Sequence, residues 1–327
     1  MNFKQEILSL KTKLNITIAA HFYQRDEVYN IADLTGDSLE LAKKAKEDKN
    51  PILVFCGVGF MGQSVKILSP EKKVYMPKIA CCSMAKMISS EYFDNAITAM
   101  EEAGICKNNI LPITYINSNA DVKAKVAEFG GMVCTSANAT FIIEKALKLN
   151  KKILFIPDRC LGLNVANKMG RKACVIGDGS DLKENDIICY DGFCSVHQLF
   201  TTDDIEFYRN KYPNILIAVH PECDPSVVNI ADFVGSTSQI IKYVASLPIE
   251  QKVAVGTEFN LVNRLRQKNT FILSSSKPEC PTMNETTLED IYNLLKAIDD
   301  NNAYNEIILE QDIRDKAFIA LNRMFES

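Results

Sequence analysis

The sequence predicts an α/β protein built from three pseudo-equivalent αβα layer domains with short parallel sheets. Three observations carry that expectation. The same order of apolar strands and helical segments runs through the chain three times, polar residues close the first strand of each pass, and a cysteine follows each pass in a loop.

The opening stretch MNFKQEILSLKTKL reads as a short amphipathic helix. The first pass then runs through ITIAAHFYQ (16–24), a helix, GDSLELAKKA (36–45), the strand ILVFCG (52–57), a helix from Phe60 and KVYM (73–76). The second runs through ILPITYINS (110–118), a helix, CTSANATFIIEKAL (134–147), ILFIPD (153–158), a helix from Leu163 and KACVIG (172–177). The third runs through NILIAVHPEC (214–223), a helix, GSTSQIIKYV (235–244), KVAVGTE (252–258), a helix from Leu261 and TFILS (270–274). Strands alternating with helices imply parallel sheets covered on both faces, and the spacing sets domain boundaries at 1–106, 107–212 and 213–327. After the third pass, Thr286 and Glu289 form a capping-box pattern ahead of Leu288, Ile291, Leu295 and Ile298. Ile313, Ala317, Leu321 and Met324 mark a closing helix that serves packing.

Composition narrows the function. With 327 residues, 47% hydrophobic and 24% charged, the chain has the make-up of a soluble globular protein. A formal charge of -4 argues against a broad nucleic-acid or anionic-membrane footprint, which leaves small molecules as the expected partners. The first residues lack a secretory pattern and no apolar run approaches the roughly 20 residues of a membrane span, so the expected location is cytoplasmic. Eleven cysteines, an odd number without C-x-x-C spacing, point to reduced thiols rather than a disulfide framework.

The candidate site residues come from the strand ends and helix starts. In α/β domains ligands sit beyond the carboxyl ends of the strands, where the three passes carry His21 and Tyr23, Tyr115 and Asn117, and His220 and Glu222. Any one of these alone is more simply turn chemistry; the threefold recurrence favours a shared site. Ser38, Ser136 and Thr237 stand where helices begin, as N-caps or as donors to a carboxylate or phosphate. Cys82, Cys194 and Cys280 follow the fourth strand of each pass, and three thiolates from three equivalent loops would suit a cubane cluster with one iron left open. Cys56, Cys134 and Cys174, inside apolar strands, read as small buried hydrophobes.

These residues resemble the quinolinate synthase family over nearly the whole chain, through AAHFYQRDEVYNIADLTGDSLELA, CTSANA, IAVHPEC and PECPTM in the family's order. The resemblance implies an enzyme of NAD biosynthesis that condenses iminosuccinate with dihydroxyacetone phosphate to quinolinate, with loss of phosphate and two waters. It implies three domains around a central 4Fe-4S cluster held by Cys82, Cys194 and Cys280, the open iron acting as a Lewis acid. Implied substrate contacts are His21, Ser38, Tyr115, Asn117, Ser136, His220, Glu222 and Thr237, with Tyr23 and His197 beside them. Glu222 is the candidate general base, and His220, Tyr23 and His21 are candidates for proton delivery or orientation. Functional coupling to an iminosuccinate-producing enzyme is a further expectation. Two positions depart from the family pattern: Gly59 stands where a histidine is common, and Cys81 adjoins Cys82, which leaves the ligand open by one residue.

Two rival readings of the sequence stand beside this one. The diphthamide-synthesis radical enzymes share a three-domain plan with one cluster cysteine per domain, but cleave S-adenosylmethionine and act on a protein; HPEC, TSANA and GDSL favour the small-molecule enzyme. A non-enzymatic iron-sulfur sensor would have no use for three polar strand ends.

Overall fold

A computed structural model of the chain describes residues 2–266 and 269–325. It is α/β with three short, wholly parallel sheets. The chain divides into two compact units, one of Met1–Cys82 with Cys280–Asp315 and one of Ser83–Glu279 with Lys316–Ser327. Among the described residues no helix is long and apolar enough to cross a membrane.

The first unit holds one sheet, made by β1 (Ile16–His21), β2 (Leu34–Gly36), β3 (Ile52–Cys56) and β4 (Lys73–Tyr75) in the order β2-β1-β3-β4. Every residue of β1 is buried, which explains why its sequence is a continuous apolar run rather than an alternation. One core of this unit joins Ile7 of the helix Phe3–Leu14, Ile16, Ile18 and Val54 of the sheet, and Ile291, Leu294 and Leu295 of the helix Leu288–Asp299. That last helix is capped by Thr287, whose hydroxyl accepts from the Asp290 amide while the Asp290 carboxylate takes the Thr287 N–H. The capping box expected at Thr286 and Glu289 therefore lies one residue later. Thr286 is instead buried, with its hydroxyl oxygen unpartnered.

The second unit holds two sheets. One is formed by β5 (Ile110–Tyr115), β6 (Met132–Cys134), β7 (Lys152–Ile156), β8 (Ala173–Val175) and β9 (Ile187–Cys189), in the order β6-β5-β7-β9-β8. The other is formed by β10 (Leu216–Val219), β11 (Phe233–Val234), β12 (Val253–Gly256) and β13 (Thr270–Ile272), in the order β11-β10-β12-β13. Alternate residues of β10 face separate cores: Ile217 and Val219 join Phe200 and Ala254, whereas Ala218 joins Ile240, Val255 and Val262.

β9 is the strand that the repeat pattern overlooks. It is three residues long, and the sequence reading had already filled the fourth place with β8. Yet β9, not β8, pairs with β7, as β4 pairs with β3 and β13 with β12. The correction tightens the repeat, because Cys194 now follows the strand equivalent to those before Cys82 and Cys280. Two helices also begin earlier than their apolar pattern suggests. Arg159–Lys168 starts four residues before Leu163, because the buried Asp158 accepts the Leu161 amide at 2.8 Å, and Phe259–Leu265 starts behind a Glu258 cap.

Candidate active site

At the carboxyl ends of the strands in the second unit, polar side chains gather around one carboxylate. Glu222, two residues beyond His220 in the turn after β10, is 3% exposed and is met by three side chains. The hydroxyl of Tyr115, from the end of β5, donates to its Oε1 at 2.5 Å. His197 Nδ1 lies 2.9 Å from Oε2, and His220 Nδ1 lies 3.8 Å from Oε1. A carboxylate only accepts, so His197 presents an Nδ1–H to it, and the other ring nitrogen meets the Thr257 hydroxyl at 3.1 Å. The His197 and His220 rings stack with centroids 4.5 Å apart.

The electrostatics of the carboxylate are decided by this company. Burial opposes its ionisation, but the neighbouring imidazoles of His197 and His220 and the hydrogen bonds from His197 and Tyr115 outweigh it, so its pKa is held well below the usual carboxylate range. Asp158 shows the opposite balance. Buried completely, and exposed to the charge of Glu222, its carboxyl is pushed well above the ordinary value, and its Oδ2 has no hydrogen-bond partner.

Cys194 lies beside this group: its sulfur, a His197 nitrogen and a Glu222 oxygen all fall within 4.8 Å of one another, a grouping able to hold a metal ion. A cavity of about 440 Å³ in the second unit is lined by Ser136, Asn164, Lys168, Pro221, Gly235 and Gln239 among others. Asn117, just beyond β5, has a buried Oδ1 with no hydrogen-bond partner.

The helix-start hydroxyls are not the N-caps. Asp37 caps Ser38–Glu47 and accepts the Leu39 and Glu40 amides; Ser236 caps Thr237–Ser246 in a box with Gln239; Asn138 occupies the cap position of Ala139–Leu147. Ser38 and Thr237 are thus first-turn residues, and Ser136 lies ahead of its helix. In the first unit His21 closes β1, buried, and its Nδ1 accepts the Tyr23 amide at 3.1 Å; the two rings meet edge to face.

Exposure sorts the thiols. Cys56, Cys134, Cys160, Cys174, Cys189 and Cys223 are buried, and burial pushes each thiol up. Cys106 is exposed, while Cys81, Cys82, Cys194 and Cys280 are partly exposed. The Gly59 amide donates to the Ala80 carbonyl at 2.8 Å, which ties the segment leading into Cys81 and Cys82 to the end of β3.

Comparison with known proteins adds the decisive observation: residues 5–326 match the family model described as quinolinate synthetase A protein. The chain belongs to the quinolinate synthetase A family. Among relatives named quinolinate synthase, one from Helicobacter pylori is 56% identical over 99% of this chain and 98% of its own length. One from Aquifex aeolicus is 39% identical over 99% and 93%, and one from Streptomyces coelicolor is 37% identical over 94% and 84%. Membership of the quinolinate synthetase A family makes the chain an enzyme of NAD biosynthesis. Sequence reading did not single out Thr257, Asn164, Gln198 or Asp158. Thr257 had a signal, since it follows β12 as His220 follows β10; Asn164, in mid-helix, had none.

Proposed function

We propose that the chain condenses iminosuccinate with dihydroxyacetone phosphate to quinolinate, releasing phosphate and two waters, with Glu222 as the general base. The observation that carries this reading is the buried carboxylate held between Tyr115, His197 and His220 at neighbouring strand ends. Condensation and aromatisation require protons to leave carbons next to carbonyl and imine groups and to reach departing oxygens. An ionised Glu222 accepts such a proton but, with its depressed pKa, holds it only briefly. The imidazoles of His197 and His220 beside it take the proton onward. His21 and Tyr23 orient substrate or deliver protons in the same reading.

Both substrates are anions. Ser38, Ser136 and Thr237, close to helix N-termini whose caps are supplied by other residues, suit carboxylate or phosphate oxygens. The unpartnered Asn117 Oδ1 suits a substrate hydroxyl or imine N–H.

Cys82, Cys194 and Cys280 are the proposed ligands of a 4Fe-4S cluster. The fit rests on donor chemistry: soft thiols, partly exposed in loops after equivalent strands, unlike the buried thiols of the cores. When bound, the cluster's open iron supplies a Lewis acid for a substrate carboxylate, nitrogen or departing hydroxyl. The reading also includes domains at 1–106, 107–212 and 213–327, a cytoplasmic location and coupling to an iminosuccinate-producing enzyme.

The test is Glu222→Gln in anaerobically reconstituted protein. Turnover to quinolinate is expected to fall about 100-fold or more with cluster absorbance unchanged. Near-normal turnover would remove Glu222 from the reaction.

A further inference from the structure

We propose that Asn164 is a positioning residue for the catalytic turn, acting as a clamp that the helix Arg159–Lys168 applies to the turn after β10. Asn164 lies in the helix Arg159–Lys168, with 6% of its surface exposed, and its Nδ2 donates to two backbone carbonyls, Pro221 at 2.9 Å and Cys223 at 2.8 Å. These carbonyls flank Glu222. The carbonyl between them, that of Glu222, is taken by the Gln198 amide at 3.3 Å. Three consecutive carbonyls of one turn are thus held by side-chain amides from outside that turn's own sheet. The orientation of the Asn164 amide follows from chemistry, because carbonyl oxygens accept and never donate, so the NH2 end must face them.

The other end of the same amide argues that the clamp has a purpose. Asn164 Oδ1 is buried without a hydrogen-bond partner. A buried acceptor left unmade is a cost in stability, which a leucine of similar size would avoid. The turn is braced internally by the Cys223 amide to the His220 carbonyl at 3.0 Å and the Glu222 amide to His220 Nδ1 at 3.4 Å, and the His220 amide donates to the Gly256 carbonyl at 3.1 Å. Those bonds shape the turn, while Tyr115 and His197, which meet the Glu222 carboxylate, lie in the chain segment around β5 and β9. Asn164, in the helix that follows β7, lies in the same segment. Its two bonds hold the backbone on either side of Glu222 while Tyr115 and His197 hold its carboxylate, so the residue is fixed at both ends where an error near 1 Å is enough to slow a reaction about 100-fold.

The inference rests on the reading of Glu222 as the working carboxylate, and the experiment separates the two. Asn164→Leu, Asn164→Gln, Glu222→Gln and Ala166→Gly are compared as holoenzymes with matched iron content; Ala166 is buried in the same helix, so Ala166→Gly loosens the helix without touching the turn. Asn164→Leu is expected to lower kcat at least 10-fold with KM for dihydroxyacetone phosphate within about 2-fold. Asn164→Gln, which keeps the donor on a side chain one methylene longer, is expected to fall between Asn164→Leu and wild type. Ala166→Gly is expected to lower the melting temperature and leave kcat near wild type. The clamp is overturned if Asn164→Leu turns over within 2-fold of wild type, or if Ala166→Gly loses as much kcat at an equal loss of melting temperature. Should Asn164→Leu fail to fold, Asn164→Ala, which also removes the donor, decides: turnover within 2-fold of wild type with intact cluster absorbance overturns the clamp. An active Glu222→Gln would instead sink the underlying reading, whatever Asn164 does.

Discussion

Cys81 and Cys82 are adjacent, partly exposed, and alike in chemistry, so only side-chain direction separates a ligand from a bystander. Neighbouring residues of an extended segment point to opposite sides, and the two thiols are not interchangeable at one iron. With Cys82 as the proposed ligand, Cys82→Ser is expected to lose most cluster absorbance and activity after anaerobic reconstitution, and Cys81→Ser to keep both, because a hydroxyl replaces a soft thiolate poorly. Iron and sulfide analysis of the two variants checks this; the opposite result shifts the ligand by one residue. At this scale the sequence was most informative where chemistry is rare. The chain has three histidines, and two of them, His197 and His220, meet at Glu222. Asn164 was illegible because an asparagine on a helix shows its partners only when the helix has a neighbour, and the carbonyls it holds carry no sequence signature.

Among the elements, the short strands and the helix starts decided how far the pattern could be read. The strands β1, β3, β5, β7, β10 and β12 are buried apolar runs and stood out. β9 did not, since three residues give no period, and pairing across the sheet defines it. Two helix starts were misplaced for a local reason, because Asp158 and Glu258 cap from before the apolar stripe begins; Ser38 and Thr237 do open their helices, but Asp37 and Ser236 cap them. The adjacent pair Ser236 and Thr237 turns that finding into a measurement. Ser236→Ala removes the cap and is expected to cost about 1 kcal/mol of stability with little effect on KM. Thr237→Ala is expected to raise the KM for a substrate with little effect on thermal unfolding. Exchange of the two phenotypes would return the capping role to Thr237 and take it out of substrate binding.

For the whole molecule, the buried Lys123 gives stability an unusual pH dependence. Its ammonium is held by the Ile116 and Ser118 carbonyls in the segment that carries Asn117, yet burial lowers its pKa to about 7, a fall that Asp121 only partly opposes. A lysine whose folded pKa is depressed is protonated in the unfolded chain and increasingly neutral in the fold between about pH 7 and its ordinary value near 10.4. The unfolded state then binds more protons, so this group's contribution rises with pH across that window, by up to ~1.4 kcal/mol per unit, and is flat below it. The difference in unfolding free energy between wild type and Lys123→Met is therefore expected to grow in favour of wild type from pH 7 to 9, measured by urea unfolding. A difference independent of pH would show that Lys123 stays charged throughout. The division into two units has a consequence during synthesis. The first sheet's core is closed by Ile291, Leu294 and Leu295, which leave the ribosome long after β1 and β3. At roughly 5–20 residues per second the apolar face of Ile16, Ile18 and Val54 waits about 10–50 s for its cover. A nascent chain of this protein thus carries its first core incompletely covered for much of its translation, and a ribosome that stalls before Leu288 releases a fragment whose core lacks Ile291, Leu294 and Leu295.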